Sequence, residues 1–85
     1  MNKQSKKYLP EETRKRIIQL RRQAGLSQKK LAEKIYIPQP TLSIYETGKK
    51  NLNFNLMLGF SKFFNVSLDW LIYGDTDDEK EADHD

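Results

Sequence analysis

Two short segments in which apolar residues recur at helical spacing lie side by side in the middle of this 85-residue chain. Ser27 is a suitable N-cap for the first segment, and the second begins between Pro38 and Pro40. The positions predicted to face inward are Leu31, Ala32 and Ile35 in the first and Leu42, Tyr45 and Glu46 in the second. The short link restricts the chain to folds in which two adjacent helices share one core.

The outward face of the second predicted helix carries Gln39, Pro40, Ser43 and Ile44. A helix that exposes its first two turns in this way can enter the major groove of DNA, while the preceding helix crosses the phosphate backbone. The spacing therefore predicts a helix-turn-helix over about residues 28–47, with these four side chains facing the bases.

Helical patterns continue on both sides of this unit. Pro10 suits the first turn of a first helix that Gly25 ends in a left-handed conformation. Asn53 and Ser67 are suitable caps for a fourth and a fifth helix, and Asn65 takes the left-handed position between them. The predicted buried positions are Ile17, Leu20, Arg21 and Ala24 in the first helix, Phe54, Met57, Leu58, Ser61 and Phe64 in the fourth, and Leu68 and Leu71 in the fifth.

Several large apolar residues near the C-terminal end of the predicted bundle are left without a place in its core. They are Leu56, Phe63, Trp70, Ile72 and Tyr73. Monomeric proteins rarely expose so much contiguous apolar surface, so the pattern predicts a dimer interface. The alternative for Trp70 is that it covers the edge of the core.

The segments LSQKKLA, TLSIYETG and VSLDWL occur in this order between Ile17 and Leu71. They resemble the Cro and lambda-repressor type of helix-turn-helix, also called the xenobiotic-response-element family of bacterial and phage regulators. The resemblance covers about two thirds of the chain. It implies an all-α fold, a compact five-helix bundle in which helices 2 and 3 form the helix-turn-helix. It also implies sequence-specific binding to a double-stranded DNA operator as a homodimer, through a dimer region that includes Trp70.

The resemblance assigns roles to individual residues. Arg21 is expected to pair with Glu46 and tie helix 1 to the end of helix 3. Gln39 is expected to read adenine, because a carboxamide can pair with adenine N6 and N7 together. The residues expected to contact phosphates are Gln28, Thr41, Lys49 and Lys50.

Four positions depart from the family pattern. Tyr36 stands where the family mostly has glycine, so either the turn holds a strained residue or helix 2 ends differently. Pro38 replaces the usual hydroxyl cap. Pro40 and Ile44 replace polar base readers. Their apolar groups suit thymine methyls in an A·T-rich half-site, or else DNA shape contributes more to recognition than direct readout does.

Charge divides the chain into regions. The segment from Asp75 to Asp85 contains seven acids and one lysine and has a net charge of −6. Because the whole chain has a net charge of +3, residues 1–74 carry +9. A basic body suits phosphate binding, although a lysine-rich solvated surface would look the same. We expect a basic N-terminal arm over residues 1–9, a domain over residues 10–74 and an acidic disordered tail over residues 75–85.

Composition argues against other classes of protein. The chain has no cysteine and one histidine, His84 in the acidic tail, so neither a metal site nor a cofactor is expected. No nucleophile, base and orienting group occur together, so an enzyme is not expected. Without a signal-like segment or a run of roughly 18 apolar residues, a cytoplasmic protein is expected.

The sequence favours a dimeric repressor that binds a pseudo-palindromic operator. One alternative is an antitoxin or a restriction-system controller, which would use the same DNA-binding face and also hold a protein partner. The other is a protein-interaction module that no longer binds DNA, with Pro40 and Ile44 contacting protein.

Overall fold

A computed structural model describes residues 7–75 and shows five α-helices within them. They are α1 (Pro10–Gln23), α2 (Gln28–Lys34), α3 (Gln39–Glu46), α4 (Phe54–Phe64) and α5 (Leu68–Tyr73). No strand occurs in this part of the chain. The predicted all-α, five-helix fold is confirmed. The predictions for residues 1–6 of the arm and residues 76–85 of the tail lie outside the described residues.

Three helices begin at side-chain caps that the sequence predicts. The side chains of Ser27, Asn53 and Ser67 each accept a hydrogen bond from the backbone N–H three residues later, at 3.1, 2.8 and 2.9 Å. Each bond satisfies one N–H that the first turn of a helix leaves without an intrahelical partner. Helix α1 has no side-chain cap and begins with Pro10, whose ring fixes a helical φ.

Left-handed residues end the helices at the predicted places. Gly25 follows α1 with φ +72°, and Asn65 follows α4 with φ 56°. Gly74 follows α5 with φ +74°, and a Cβ atom there would lie 2.7 Å from Nη1 of Arg16. The positive φ at position 74 favours glycine, and a Cβ atom there would require the end of the Arg16 side chain to shift.

The core lies between α1, α3, α4 and α5, with α2 packed on α3. Phe60 is fully buried, as are Leu31, Leu42 and Leu71. The complete buried apolar set is Ile17, Leu31, Ala32, Leu42, Tyr45, Leu52, Met57, Phe60 and Leu71. This is a small core, so each of its members contributes a large share of the stability.

Two predicted core positions are wrong, and three buried side chains were not predicted, those of Thr13, Leu52 and Phe60. Ala24 is exposed because α1 ends at Gln23 and Ala24 is its C-cap, outside the helical period. Phe54 has the spacing of a core residue, but it is the first residue of α4 and is 57% exposed. Phe60 fills the core instead, on the face it shares with Met57 and Phe64.

Thr13, another of the unpredicted buried residues, helps to join α1 to α5. Its hydroxyl donates to the carbonyl of Ile72 at 3.2 Å. Arg16 donates from Nε to the carbonyl of Leu71 and from Nη2 to that of Ile72, both at 2.9 Å. Its guanidinium also lies 5.9 Å from the centre of the Trp70 ring. Burial lowers the pKa of Arg16, while Glu12 and Asp75 act in the opposite direction.

Candidate nucleic-acid interface

The link between α2 and α3 is a turn built on a left-handed residue. Tyr36 has φ 63° and is 92% exposed, so its side chain has almost no contact that offsets the strain. The next residue, Ile37, donates its backbone N–H to the carbonyl of Ala32 at 3.0 Å. Of the two possibilities left open by the sequence, the turn with a strained residue is the one observed. Pro38 then precedes α3 without a side-chain cap, as predicted.

Helix α3 turns one face into the core and leaves another at the surface. Leu42, Tyr45 and Glu46 are buried. Gln39, Pro40 and Ile44 are exposed, and Ser43 is half-buried beside them. We refer to these last four residues as the α3 outer face. The structure therefore brings together all the residues predicted to face bases.

The residues predicted to contact phosphates lie around this outer face. Thr41 is half-buried on α3, and Lys49 and Lys50 are exposed just beyond its C-terminal end. The backbone N–H of Lys49 donates to the carbonyl of Ile44 at 3.1 Å, which fixes the start of the loop that carries both lysines. Gln28 is the first residue of α2 and is half-buried.

A buried ion pair connects α1 to the end of α3. Arg21 donates from Nε to Oε2 of Glu46 at 2.7 Å and from Nη2 to Oε1 at 2.9 Å. The two side chains are only 13% and 5% exposed. Nη1 of Arg21 also donates to the carbonyl of Leu26 at 2.9 Å. The guanidinium of this α1 residue therefore contacts both α3 and the loop that precedes α2. The contact expected from the family resemblance is present in the structure.

The ion pair continues toward the surface through two glutamines. Nε2 of Gln28 donates to Oε1 of Glu46 at 2.9 Å. Nε2 of Gln39 donates to Oε1 of Gln28 at 3.0 Å. The sequence reasoning treated Gln28, Gln39 and the ion pair as separate features and missed this connection. The signal available in the sequence was that α2 and α3 each begin with a glutamine, while a glutamate is predicted to be buried on α3.

Arg14 is another residue that sequence reasoning missed. Its Nη1 donates to the backbone carbonyl of Glu46 at 3.4 Å, and its Nη2 lies 3.7 Å from the carboxylate of Glu11. It stands seven residues before Arg21, and therefore on the same side of α1. That spacing was the signal that could have found it. Two arginines of α1 thus contact the C-terminal end of α3.

The predicted dimer residues are less exposed than the sequence suggested. Leu56, Trp70 and Ile72 are half-buried and pack against the core, so for Trp70 the structure matches the alternative that it covers the core edge. Tyr73 is also half-buried. Phe63 is 39% exposed and meets Phe64 edge-on, with ring centres 4.9 Å apart. Phe63 is therefore the member of this set with the most accessible surface.

Residues 7–75 hold no cluster of histidine or acidic side chains that could bind a metal ion. No helix among them is long and apolar enough to cross a membrane. What they do contain is a short α2, a tight turn and an α3 with exposed polar and apolar residues on its first two turns. This arrangement defines a helix-turn-helix DNA-binding domain.

Comparison with known proteins identifies the family. A family model described as helix-turn-helix matches residues 17–71, and the chain belongs to this family. The predicted relationship to Cro and lambda-repressor type proteins is confirmed. The family is one of DNA-binding regulators rather than enzymes.

Three relatives are similar to part of this chain. The HTH-type transcriptional activator BcrR of Enterococcus faecalis is 36% identical over 64 residues, which are 75% of this chain and 31% of BcrR. The HTH-type transcriptional regulator ImmR of Bacillus subtilis is 38% identical over 58 residues, 68% of this chain and 46% of ImmR. The uncharacterised HTH-type regulator YqaE of the same organism is 30% identical over 59 residues, 69% of this chain and 51% of YqaE. The chain thus spans about half or less of the length of these relatives.

Proposed function

We propose that this protein is a sequence-specific DNA-binding transcriptional regulator that places α3 in the major groove of an operator. The observation that carries the proposal is the exposed Gln39 at the first position of α3, held by a hydrogen-bond chain that begins in the core. A polar side chain that is both exposed and fixed is suited to read a base edge, because little conformational entropy is lost on binding.

Gln39 retains the groups that adenine recognition requires. A carboxamide has two donor hydrogens and an acceptor oxygen, and only one of the hydrogens is donated to Gln28. The second hydrogen can bind adenine N7 while Oε1 accepts from N6. Gln39 and Gln28 can therefore remain hydrogen-bonded to each other while Gln39 reads a base.

The rest of the α3 outer face suits A·T base pairs. Ile44 is 40% exposed, and Pro40 lies one turn before it. Both offer apolar groups that can contact thymine methyls, and the hydroxyl of Ser43 between them can bond to either base of a pair. We propose half-sites rich in A·T pairs at these positions.

Four residues are proposed as phosphate contacts: Gln28, Thr41, Lys49 and Lys50. The net charge of +9 on residues 1–74 supports a sequence-independent attraction to DNA. Such contacts set the position of the protein on the duplex without reading its sequence.

Two substitutions test the division between base readers and phosphate contacts. Gln39→Ala should reduce the preference for one base pair of a selected operator by about 1 to 3 kcal/mol and change affinity for random DNA little. Lys49→Ala should weaken binding to all sequences alike and reduce the salt dependence of the affinity. Competition binding at several salt concentrations measures both effects. Equal losses on operator and random DNA for Gln39→Ala would contradict base reading.

We further propose that the protein binds as a homodimer to a pseudo-palindromic operator, through α4 and α5. The residues proposed for the interface are Leu56, Phe63, Trp70, Ile72 and Tyr73. Their partial exposure supports this, since the part of each side chain that faces solvent remains available for a second copy.

A matched pair of phenylalanines on α4 tests the dimer. Phe63→Glu places a charge in the proposed interface and should shift the protein toward the monomer in sedimentation. Phe54→Glu is the control, since Phe54 is 57% exposed on the same helix and lies outside the proposed interface. Equal behaviour of the two variants would remove α4 from the interface.

Repression by occupying a promoter is the regulatory outcome that we propose, and the DNA-containing bacterial cytoplasm is where it would occur. BcrR carries the name of an activator, so a promoter-reporter assay with and without the protein is the direct test. Lower reporter output on induction supports repression, and higher output contradicts it. An antitoxin or restriction-system controller would use the same α3 outer face and would in addition retain a protein partner on purification.

A further inference from the structure

Four side chains form one continuous hydrogen-bond chain from the core to the α3 outer face. It runs from Arg21 to Glu46, then to Gln28 and then to Gln39. Its first two members are almost fully buried and its last is exposed. The chain therefore connects a buried ion pair to the proposed base-reading residue.

The direction of every bond in this chain follows from the chemistry of its buried end. Arg21 has only donors, and its guanidinium bonds to both carboxylate oxygens of Glu46. A carboxylate paired in this way only accepts, so the group that Gln28 turns toward Glu46 must be its NH₂. The carbonyl oxygen of Gln28 then faces Gln39, and Gln39 must turn its own NH₂ toward Gln28. The reverse orientation of either carboxamide would bring two acceptors or two donors together.

We propose that Glu46 is a positioning residue for base recognition: through Gln28, its carboxylate fixes which way the carboxamide of Gln39 points. This inference rests on the proposed base reading by Gln39. It gives the buried ion pair a role in specificity beyond holding α1 to α3. A neutral glutamine at position 46 could not impose this order, because it offers a donor as well as an acceptor.

The fixed order selects among bases. Adenine presents an acceptor, N7, beside a donor, N6, and so requires a carboxamide with its donor and acceptor in one order. Guanine presents two acceptors, N7 and O6, in the same place. A carboxamide that rotates freely can offer its donor or its acceptor at either position, and so it discriminates less. Loss of the hydrogen bond from Gln39 to Gln28 should therefore lower the preference for adenine rather than the affinity for random DNA.

Two variants interrupt the chain at different points. Gln28→Met removes both glutamine bonds and leaves the bonds between Arg21 and Glu46 in place. Glu46→Gln keeps the size of the side chain and removes the acceptor-only group. The readout is the relative affinity for operators that carry A·T or G·C at the base pair read by Gln39, which Gln39→Ala identifies. Each variant should reduce this preference by about tenfold, within the range expected for one bidentate contact.

The double variant separates positioning from a purely structural role. If Glu46 acts through Gln28, adding Glu46→Gln to Gln28→Met should cause no further loss of base preference. If Glu46 only stabilises the fold, Glu46→Gln should lower affinity for operator and random DNA alike in both backgrounds. That result would overturn the proposal.

A second measurement needs no DNA and does not depend on how well Glu46→Gln folds. In the ¹⁵N,¹³C-labelled protein, NMR should show a scalar coupling across the hydrogen bond from Nε2 of Gln39 to the carboxamide carbon of Gln28. The coupling should be lost in Gln28→Met and in folded Glu46→Gln. Its absence from the wild type, or its persistence in folded Glu46→Gln, would overturn the proposal. If Gln39→Ala leaves base preference unchanged while the coupling behaves as described, base reading by Gln39 fails and the positioning chain stands.

Discussion

Two arginines of α1 join it to two different regions of the domain, and they do so in different ways. Arg21 bonds to the side chain of Glu46, the last residue of α3. Arg16 bonds to the backbone carbonyls of Leu71 and Ile72 in α5. Arg21 makes both bonds to one carboxylate, whereas Arg16 makes one bond to each of two carbonyls.

The difference lies in what each contact requires of the sequence. The Arg21 contact depends on one acidic side chain, and that side chain is also bonded to Gln28. The Arg16 contact depends only on the path of the backbone, since any residue at positions 71 and 72 has a carbonyl. We therefore expect substitutions in the Arg21 contact to change both stability and DNA reading, and substitutions in the Arg16 contact to change stability alone.

Glu46→Ala should have the largest effect. It leaves the guanidinium of Arg21 buried without its carboxylate, which typically costs about 3 kcal/mol in the free energy of unfolding. Urea denaturation measures this loss. A midpoint like that of the wild type would show that the ion pair contributes nothing net to stability, and that the Arg21 and Arg16 contacts do not differ in the way described.

Arg16→Met should cost less, about 2 kcal/mol, because it removes two charge-assisted hydrogen bonds to carbonyls but leaves no buried charge. Methionine retains much of the apolar contact with the Trp70 ring. Trp70 fluorescence and urea denaturation together report the loosening of α5. A change in base preference for this variant would contradict the expected difference between the Arg16 and Arg21 contacts.

The smallest expected changes in stability come from replacing residues that adopt a left-handed backbone conformation. Tyr36 and Asn65 adopt nearly the same φ, 63° and 56°, one after α2 and the other after α4. Tyr36→Gly should stabilise the protein by roughly 0.5 kcal/mol, because relief of about 1 to 2 kcal/mol of strain exceeds the extra unfolded-state entropy of glycine. Asn65→Gly is the matched control and should change stability less, since asparagine tolerates this conformation. The thermal unfolding midpoints of the two variants measure these changes in stability. A larger increase for Asn65→Gly than for Tyr36→Gly would contradict the prediction.

Local chemistry made much of the fold predictable. The caps at Ser27, Asn53 and Ser67 and the left-handed Gly25 and Asn65 are determined by residues within one turn of the chain, and they lie where predicted. The inward positions of α3 also followed from spacing, because residues three and four positions apart lie on the same face of a helix. The helix-turn-helix and its exposed residues were therefore within reach of the sequence.

Packing at the helix ends was not predictable in the same way. Phe54 has the spacing of a core residue, but it is the first residue of α4 and is 57% exposed. Trp70 likewise has an apolar ring that could equally have faced solvent. Helical spacing gives the direction of a side chain but not whether another helix reaches far enough to cover it.

By itself, the sequence determined the five helices and the set of residues on the α3 outer face, because these depend on neighbours along the chain. Only the tertiary structure decided that Arg16 binds the carbonyls of α5 and that Gln28 joins Glu46 to Gln39. These contacts link residues 11 to 56 positions apart. They depend on how close the packed helices come, which no local preference of a residue specifies.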